Sequence, residues 1–244
     1  MIKLSERLEC IADRVDKGEV VADIGTDHGY LPIYLWENSI SPKVIMADVS
    51  KGSLQKAKEN CKLYHPNKAF DFRLGDGLAV LKAYEVDTVV MAGMGALLMI
   101  DILEWDIIKT VSYKKFILQP RNNLGELIYW LEKNNFNITG FDLVKEGKRI
   151  CEILTVRPGQ ITVQANREIN LHNNLSAEYD FPNLLLEFPN KHSKEYLELH
   201  LRKEAFIIEN ILKGKDGDKD INLSRRISRR ERLKYLLGCL DESN

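Results

Sequence analysis

The sequence predicts a doubly wound α/β sheet followed by a helical region. Short apolar runs alternate with helical stretches over residues 1–158, as they do where helices connect the strands of a mainly parallel sheet. Glycines or carboxylates follow several of these runs, at the sheet edge where open α/β folds bind ligands. Beyond residue 158 the strand pattern stops and helical periodicity takes over.

The individual elements follow from local patterns. Residues 1–7 have the spacing of an amphipathic helix. Residues 19–24 form an apolar run ending at a glycine turn, which is typical of a buried strand. Six further strands are predicted at residues 43–48, 69–74, 87–92, 115–120, 136–145 and 150–156. Further helices are predicted at residues 30–37, from about 53 to 64, at 96–103 and at 124–134. The last two strands are expected to form an antiparallel hairpin at one edge.

Two domains are predicted, residues 1–158 and residues 159–244. In the second, apolar residues recur at mainly helical spacing over 193–213 and 222–240. The polar stretch 214–220 between them predicts a turn, so we expect the two helices to return antiparallel as a hairpin.

Composition excludes several classes of protein. Of 244 residues, 44% are hydrophobic and 29% charged, the profile of an ordinary globular chain. No apolar run approaches the roughly 18 to 20 residues of a spanning helix, and no signal-peptide stretch begins the chain. We therefore expect a cytoplasmic protein without membrane contact. The four cysteines are far apart and form no CxxC pair, which predicts neither a disulfide framework nor a metal site.

The turn after the first strand is the first candidate binding element. Residues 23–29 read DIGTDHG. Gly25 lets the backbone turn sharply beside a ligand, and the helix that follows offers free amide hydrogens to an anionic group. Asp23, Asp27 and His28 supply side chains there, although such a turn is weak evidence alone.

Two carboxylates extend this candidate site. Asp48, with Val49 beside it, closes the second strand, where a carboxylate accepts hydrogen bonds from the hydroxyls of a ribose. Asp76, beside Gly77, is placed to accept from an adenine amino group. Dinucleotide-binding enzymes place an acidic residue similarly, but the turn lacks a full GxGxxG and the strand pattern ends in a hairpin. Together these features favour S-adenosyl-L-methionine as the cofactor.

The loop after the fourth strand is predicted to lie beside the transferred methyl group. It contains Ala92, Gly93 and Met94. Methyltransferases that act on exocyclic amino groups commonly place an Asn or Asp, two prolines and an aromatic residue here, and this loop has none of them. A small loop suggests backbone contacts with the target.

These motifs resemble those of the bacterial tRNA (adenine(22)-N(1))-methyltransferases. The resemblance covers nearly the whole chain and is most specific over residues 20–32 and 91–120. Its motifs are Arg7-Leu8, ADIGTDHGYLP at 22–32, RLGDG at 73–77, AGMG at 92–95 and LQP at 118–120. The resemblance implies a Rossmann-like class I methyltransferase with a seven-stranded sheet and a coiled-coil-like C-terminal hairpin. This chain departs from the family at Ala96, where a second glycine is usual, and in minor ways at Thr26, Gly29 and Asp48.

The implied reaction moves a methyl group from S-adenosyl-L-methionine to the ring nitrogen N1 of adenine 22 in the D-arm of tRNA. The residues expected to act at the reacting groups are Asp27, His28, Gly93 and Met94. Those expected to contact tRNA are Tyr30, Gln119, Arg121, Arg7, Arg225, Arg226, Arg229 and Arg230. No obligate protein partner is expected, and the protein is predicted to be a monomer or a weak dimer.

Several alternatives remain open at this point. The chain could methylate a small molecule or another RNA, which for a small substrate predicts a closed pocket. It could also be a non-catalytic module that binds adenosylmethionine and dimerises through the hairpin. Asp27 could cap the helix that begins near Tyr30, His28 could bond only locally, and the arginines after Ser224 could be a solvated helix face.

Overall fold

The computed structural model describes residues 2–159, 176–213 and 219–242. Seven strands form one sheet: β1 (Val21–Ile24), β2 (Val44–Asp48), β3 (Asp71–Leu74), β4 (Thr88–Met94), β5 (Lys115–Pro120), β6 (Phe136–Glu146) and β7 (Arg149–Pro158). Ten α-helices are described: α1 (Glu6–Asp13), α2 (Tyr30–Glu37), α3 (Lys51–Tyr64), α4 (Ala96–Glu104), α5 (Ile107–Thr110), α6 (Leu124–Lys133), α7 (Ala177–Asp180), α8 (Leu184–Glu187), α9 (Ser193–Lys213) and α10 (Lys219–Glu242). A 3₁₀ turn spans Gly77–Val80.

The sheet has the order β3-β2-β1-β4-β5-β7-β6. The first five strands run parallel, and β7 runs antiparallel to both β5 and β6. Every residue of β1 and of β5 is buried, because helices cover both faces of a parallel sheet. The predicted α/β fold class, seven strands and terminal antiparallel hairpin are confirmed. This order places the carboxyl ends of β1, β2 and β4 side by side.

The predicted start of the first helix is wrong. The helix begins at Glu6, where the Ser5 hydroxyl accepts a hydrogen bond from the Leu8 amide at 3.4 Å and caps it. Residues 2–5 are not helical, and Ile2 and Leu4 are both buried. Seven residues are too few for the pattern of apolar positions to distinguish a helix from an extended segment whose alternate residues are buried.

The C-terminal helices form the predicted antiparallel pair. Lys194 on α9 bonds to Asp241 on α10, while Glu204 bonds to Arg229, so the two helices run in opposite directions. The predicted turn at 214–220 lies outside the described residues except for its last two, which begin α10.

One apolar core joins the sheet to these C-terminal helices. It contains Trp130 and Phe136 near the sheet and Leu233 and Leu236 on α10. Only residue 159 is described between the proposed boundary at residue 158 and residue 176, so the boundary stays a prediction. Among the described helices, none is long and apolar enough to cross a bilayer.

Candidate active site

A cavity of about 530 Å³ lies at the carboxyl ends of β1 and β4. This volume is within the usual range for small-molecule and cofactor sites. The cavity brings together predicted residues from four separate parts of the chain, namely Arg7, Asp23, Gly25, Asp27, His28, Tyr30, Ala92, Gly93, Met94 and Arg121. The structure therefore gathers the residues predicted from the first turn and the methyl-proximal loop into one site.

The turn after β1 has an unusual backbone. Gly25 has φ +80°, a left-handed conformation that favours glycine, and a Cβ built there would press on the end of the Met94 side chain. The amides of Gly25 and Thr26 both donate to the Ala47 carbonyl, at 2.8 and 3.1 Å. Helix α2 is preceded by Gly29 without a side-chain cap. The capping role considered for Asp27 is therefore not found.

Asp23 is the buried carboxyl group of the cavity. Burial, together with the neighbouring Asp48 carboxylate, raises its pKa from 3.8 to about 6. The Thr26 hydroxyl and the Arg7 guanidinium act in the opposite direction. Near neutral pH this carboxylate is ionised in a site that disfavours its charge. A cationic group beside it would relieve that cost.

Asp27 and His28 form the exposed rim of the cavity. The His28 Nε2 lies 3.3 Å from Asp27 Oδ2, and the Lys56 Nζ lies 3.5 Å from Asp27 Oδ1. The His28 ring stacks on Tyr30, with ring centroids 5.4 Å apart. Lys56 was not predicted as a site residue. Asp27, His28 and Tyr30 line the cavity, and because Asp27 and His28 are about half exposed they can reach a ligand at its mouth.

The end of β4 carries a β-bulge. Pairing with β5 skips one residue between Ala92 and Met94, and the skipped Gly93 has φ +75°. A Cβ built on Gly93 would meet only the Arg121 guanidinium, at 3.8 Å, so its outer face is open to the cavity. The Arg121 amide donates to the Met94 carbonyl at 2.7 Å and closes the bulge. Bulges of this kind redirect a strand end toward a site.

Gln119 holds this bulge from inside the protein. Its Oε1 accepts from the Gly93 amide and from Arg7 Nη1, both at 3.1 Å, and its Nε2 donates to the Pro120 carbonyl at 2.8 Å. Gln119 is only 4% exposed. Arg7 also donates to Glu146 at 3.0 Å. Both residues were predicted to contact RNA. The structure places Gln119 among internal hydrogen bonds with Arg7 beside it, and their contact with RNA stays a prediction.

Asp48 and Val49 lie farther along the same sheet edge, outside the cavity lining. Asp48 ends β2 beside β1, and its Oδ1 accepts from the Ser50 amide at 2.7 Å. Val49 is exposed. These positions extend the site toward β2, and their ribose-binding role stays a prediction.

Asp76 precedes, and Gly77 begins, the 3₁₀ turn that follows β3. A Cβ on Gly77 would lie 2.7 Å from the Ile102 side chain, so close packing against α4 accounts for this glycine. Neither residue lines the cavity at β1 and β4. Their adenine-binding role also stays a prediction.

The predicted arginine cluster on α10 is tied to carboxylates. Arg226 and Arg229 bond to Glu204, at 3.0 and 2.9 Å, and Glu204 is 1% exposed. Arg229 and Arg225 also pair with Asp180. Arg230 pairs with its neighbour Glu231. None of the four lines the cavity at β1 and β4, and their contact with RNA stays a prediction.

A second, open groove of about 840 Å³ adjoins the cavity and shares Arg7, Gly93 and Arg121 with it. Its other walls are the β6–β7 turn and α9. Several of its residues were not predicted from the sequence, among them Lys148, Arg149, Glu152, Tyr196 and Lys203. No local pattern marks these positions, because the two walls are some 50 residues apart in the chain.

The chain matches known proteins along its length. A family model described as a methyltransferase domain matches residues 4–154. The tRNA (adenine(22)-N(1))-methyltransferase of Bacillus subtilis is 34% identical over 158 residues, which are 65% of this chain and 66% of that protein. The crystal structure of the B. subtilis M1A22 tRNA methyltransferase TrmK is 30% identical, and the alignment covers 97% of this chain and 100% of TrmK, with a TM-score of 0.80. The chain belongs to the tRNA (adenine(22)-N(1))-methyltransferase family.

A second member of this methyltransferase family was solved with ligand. A putative tRNA (m1A22) methyltransferase of Streptococcus pneumoniae, in complex with S-adenosyl-L-methionine, is 27% identical. That alignment covers 96% of this chain and 100% of the other, with a TM-score of 0.79. Sequence similarity to the curated relatives spans about two thirds of their length, whereas the structural alignments include the C-terminal helices. The helical pair is thus part of the fold that the family shares.

Proposed function

We propose that the protein transfers the methyl group of S-adenosyl-L-methionine to N1 of adenine 22 in tRNA. The observation that carries this proposal is the cavity at β1 and β4, in a chain that aligns over nearly its full length with TrmK. The groove beside the cavity is open, whereas a small-molecule methyltransferase was expected to have a closed pocket. An RNA substrate fits this open geometry better.

The cavity suits the charge and shape of the cofactor. S-adenosyl-L-methionine carries an ammonium and a sulfonium group, and the buried Asp23 carboxylate is stabilised by a neighbouring cation. Gly25 and Gly93 present backbone without side chains at the cavity wall, so a ligand can approach closely. When bound, the cofactor supplies an electrophilic methyl group.

The protein then has to position adenine N1 in line with that methyl group. N1 is unprotonated at neutral pH and is a nucleophile already, so holding it about 3 to 3.5 Å from the carbon provides most of the acceleration. The Gly93 bulge forms the wall where the two reactants meet. Methylation leaves a cationic adenine, and the Asp27 carboxylate at the rim is placed to stabilise the developing charge. We infer that the protein is cytoplasmic, because its proposed substrate tRNA is found in the cytoplasm. We also infer that it acts as a monomer or a weak dimer.

Nucleoside analysis tests the substrate. Purified protein incubated with labelled S-adenosyl-L-methionine and an unmodified tRNA transcript is expected to produce 1-methyladenosine at position 22. A transcript with guanine at that position is the control, and it should stay unlabelled. If no tRNA of a complete set yields 1-methyladenosine, the substrate assignment fails, and calorimetry with the cofactor then decides the cofactor assignment separately.

Gln119→Leu tests the positioning of the bulge. Leucine has nearly the volume of glutamine but leaves the Gly93 amide and Arg7 Nη1 without their acceptor. Leaving such donors unpaired costs about 1–3 kcal/mol. We expect kcat to fall by about tenfold, or about 1.4 kcal/mol, with a small change in KM for tRNA. Gln55→Leu on the exposed face of α3 is the matched control. A loss confined to KM would instead make Gln119 an RNA contact.

A further inference from the structure

The groove beside the cofactor cavity contains cations without protein partners. Among the arginines that the structure describes, only the side chains of Arg121 and Arg149 make no hydrogen bond or ion pair, and both line this groove. Lys148 and Lys203 also line it, and no ion pair is found for either within the described part of the chain. The groove therefore presents four uncompensated positive charges.

The acidic residues of the groove do not cancel these charges. Glu146 is paired with Arg7 at 3.0 Å. Glu152 is half-buried and its Oε1 accepts from the Tyr196 hydroxyl at 2.8 Å, so even as an anion it offsets only one of the four cations. His200 adds no positive charge near neutral pH, because burial lowers its pKa to about 4. The net charge facing the groove is positive.

The walls of the groove are fixed relative to each other. Lys145 on β6 bonds to Glu195 on α9 at 2.6 Å, and the Asn190 amide group donates to the Leu143 carbonyl at 3.0 Å. The Tyr196–Glu152 hydrogen bond joins α9 to β7 as well. Lys148 belongs to the tight turn between β6 and β7. The backbone segments that bear the four cations are thus held in place by these hydrogen bonds, which reduces the conformational entropy lost when a ligand binds.

We propose that this groove binds the phosphate backbone of the RNA strand next to the target adenine, through Arg121, Lys148, Arg149 and Lys203. This inference rests on the proposed function. Since Gly93 and Arg121 belong to both the groove and the cofactor cavity, a strand in the groove delivers its base to the cavity mouth. The arginines of α10 fit this task less well, because carboxylates already compensate their charge.

Salt-dependent binding of unmodified tRNA tests the groove. The variant Lys148→Ala/Arg149→Ala removes two exposed cations, and Lys62→Ala/Lys82→Ala removes two exposed lysines outside the groove. We expect the groove variant to bind tRNA about tenfold more weakly at 0.1 M salt and its log–log salt slope to fall by roughly 1.4 to 1.8. The control variant should match the parent protein. Cofactor affinity, measured by calorimetry, should be the same in all three.

The outcomes separate this inference from the proposed function. If the parent protein methylates tRNA and the groove variant keeps the affinity and salt slope of the control variant, the groove assignment is wrong while the proposed function stands. A third variant, Arg225→Ala/Arg230→Ala, probes the α10 surface. A larger loss there than in the groove variant also overturns the inference. If the parent protein neither binds nor methylates tRNA, both the groove assignment and the proposed function are wrong. The nucleoside analysis measures methylation separately from tRNA binding.

Discussion

Glu204→Ala should lower the free energy of unfolding by about 3 kcal/mol, because it leaves two arginines without their shared partner. Glu204 is 1% exposed and bonds to Arg226 and Arg229 on the opposite helix. Both arginines retain some access to solvent, so the loss lies at the lower end for a broken buried pair. For a chain of this size the melting temperature should drop by roughly 6–12 °C.

Glu198→Ala is the matched control for this substitution. Glu198 lies on the same helix and makes only a long, exposed contact with Arg202, at 3.9 Å. Exposed pairs of this kind contribute little, so we expect a change within about 0.5 kcal/mol. Urea unfolding of the two variants measures the difference directly. Equal effects of the two substitutions would mean that the buried cluster does not stabilise the helical pair.

Asp23→Asn should stabilise the ligand-free protein at pH 7.5 and weaken cofactor binding. The pKa of Asp23 is raised to about 6 in the folded protein, from an ordinary value of 3.8. A carboxyl whose pKa is raised on folding contributes stability that is complete below pH 3.8 and is lost as the pH rises through about 6. At pH 7.5 the buried charge therefore costs about 2–3 kcal/mol, which the asparagine removes.

The pH dependence distinguishes this effect from a simple packing change. The stabilisation by Asp23→Asn should shrink as the pH falls through about 6 and should vanish only well below pH 3.8, where the Asp23 carboxyl is protonated in both the folded and the unfolded chain. Thermal melts at several pH values measure it, with Asp101→Asn, an exposed carboxylate on α4, as the control. We expect cofactor affinity at pH 7.5 to fall at least tenfold in the Asp23 variant, about 1.4 kcal/mol. Unchanged affinity would place Asp23 outside the site.

The sequence predicted those features that depend on neighbouring residues. Strand β5 was placed at residues 115–120, as observed, because its apolar centre Phe116-Ile117-Leu118 is flanked by Lys115 and by Gln119-Pro120. The turn at Asp23 and the loop at Gly93 were found for the same reason, since a short motif after a strand identifies both. The short helices α5, α7 and α8 were missed, because four residues carry too little periodicity to be recognised.

Features that join distant residues were not predictable in this way. Glu204 appeared to be one more charge on an amphipathic helix, and nothing local indicates that it is buried against Arg229, 25 residues later. Gln119 was predicted to contact the substrate, and nothing local indicated that its side-chain amide also holds the Gly93 bulge. The groove likewise forms only when α9 packs on the β6–β7 hairpin. Long-range packing decides all three.

The order of strands also determines when the sheet can be completed during translation. Among the described strands, β6 is bonded only to β7, and β7 lies between β6 and β5. The ribosome releases β6 first, and this eleven-residue strand has no place in the sheet until β7 has followed. Until Leu154, Thr155 and Val156 of β7 have emerged, β5 is the edge of the nascent sheet and its outer backbone groups are unpaired. The last strand to be synthesised is thus the one that closes the sheet.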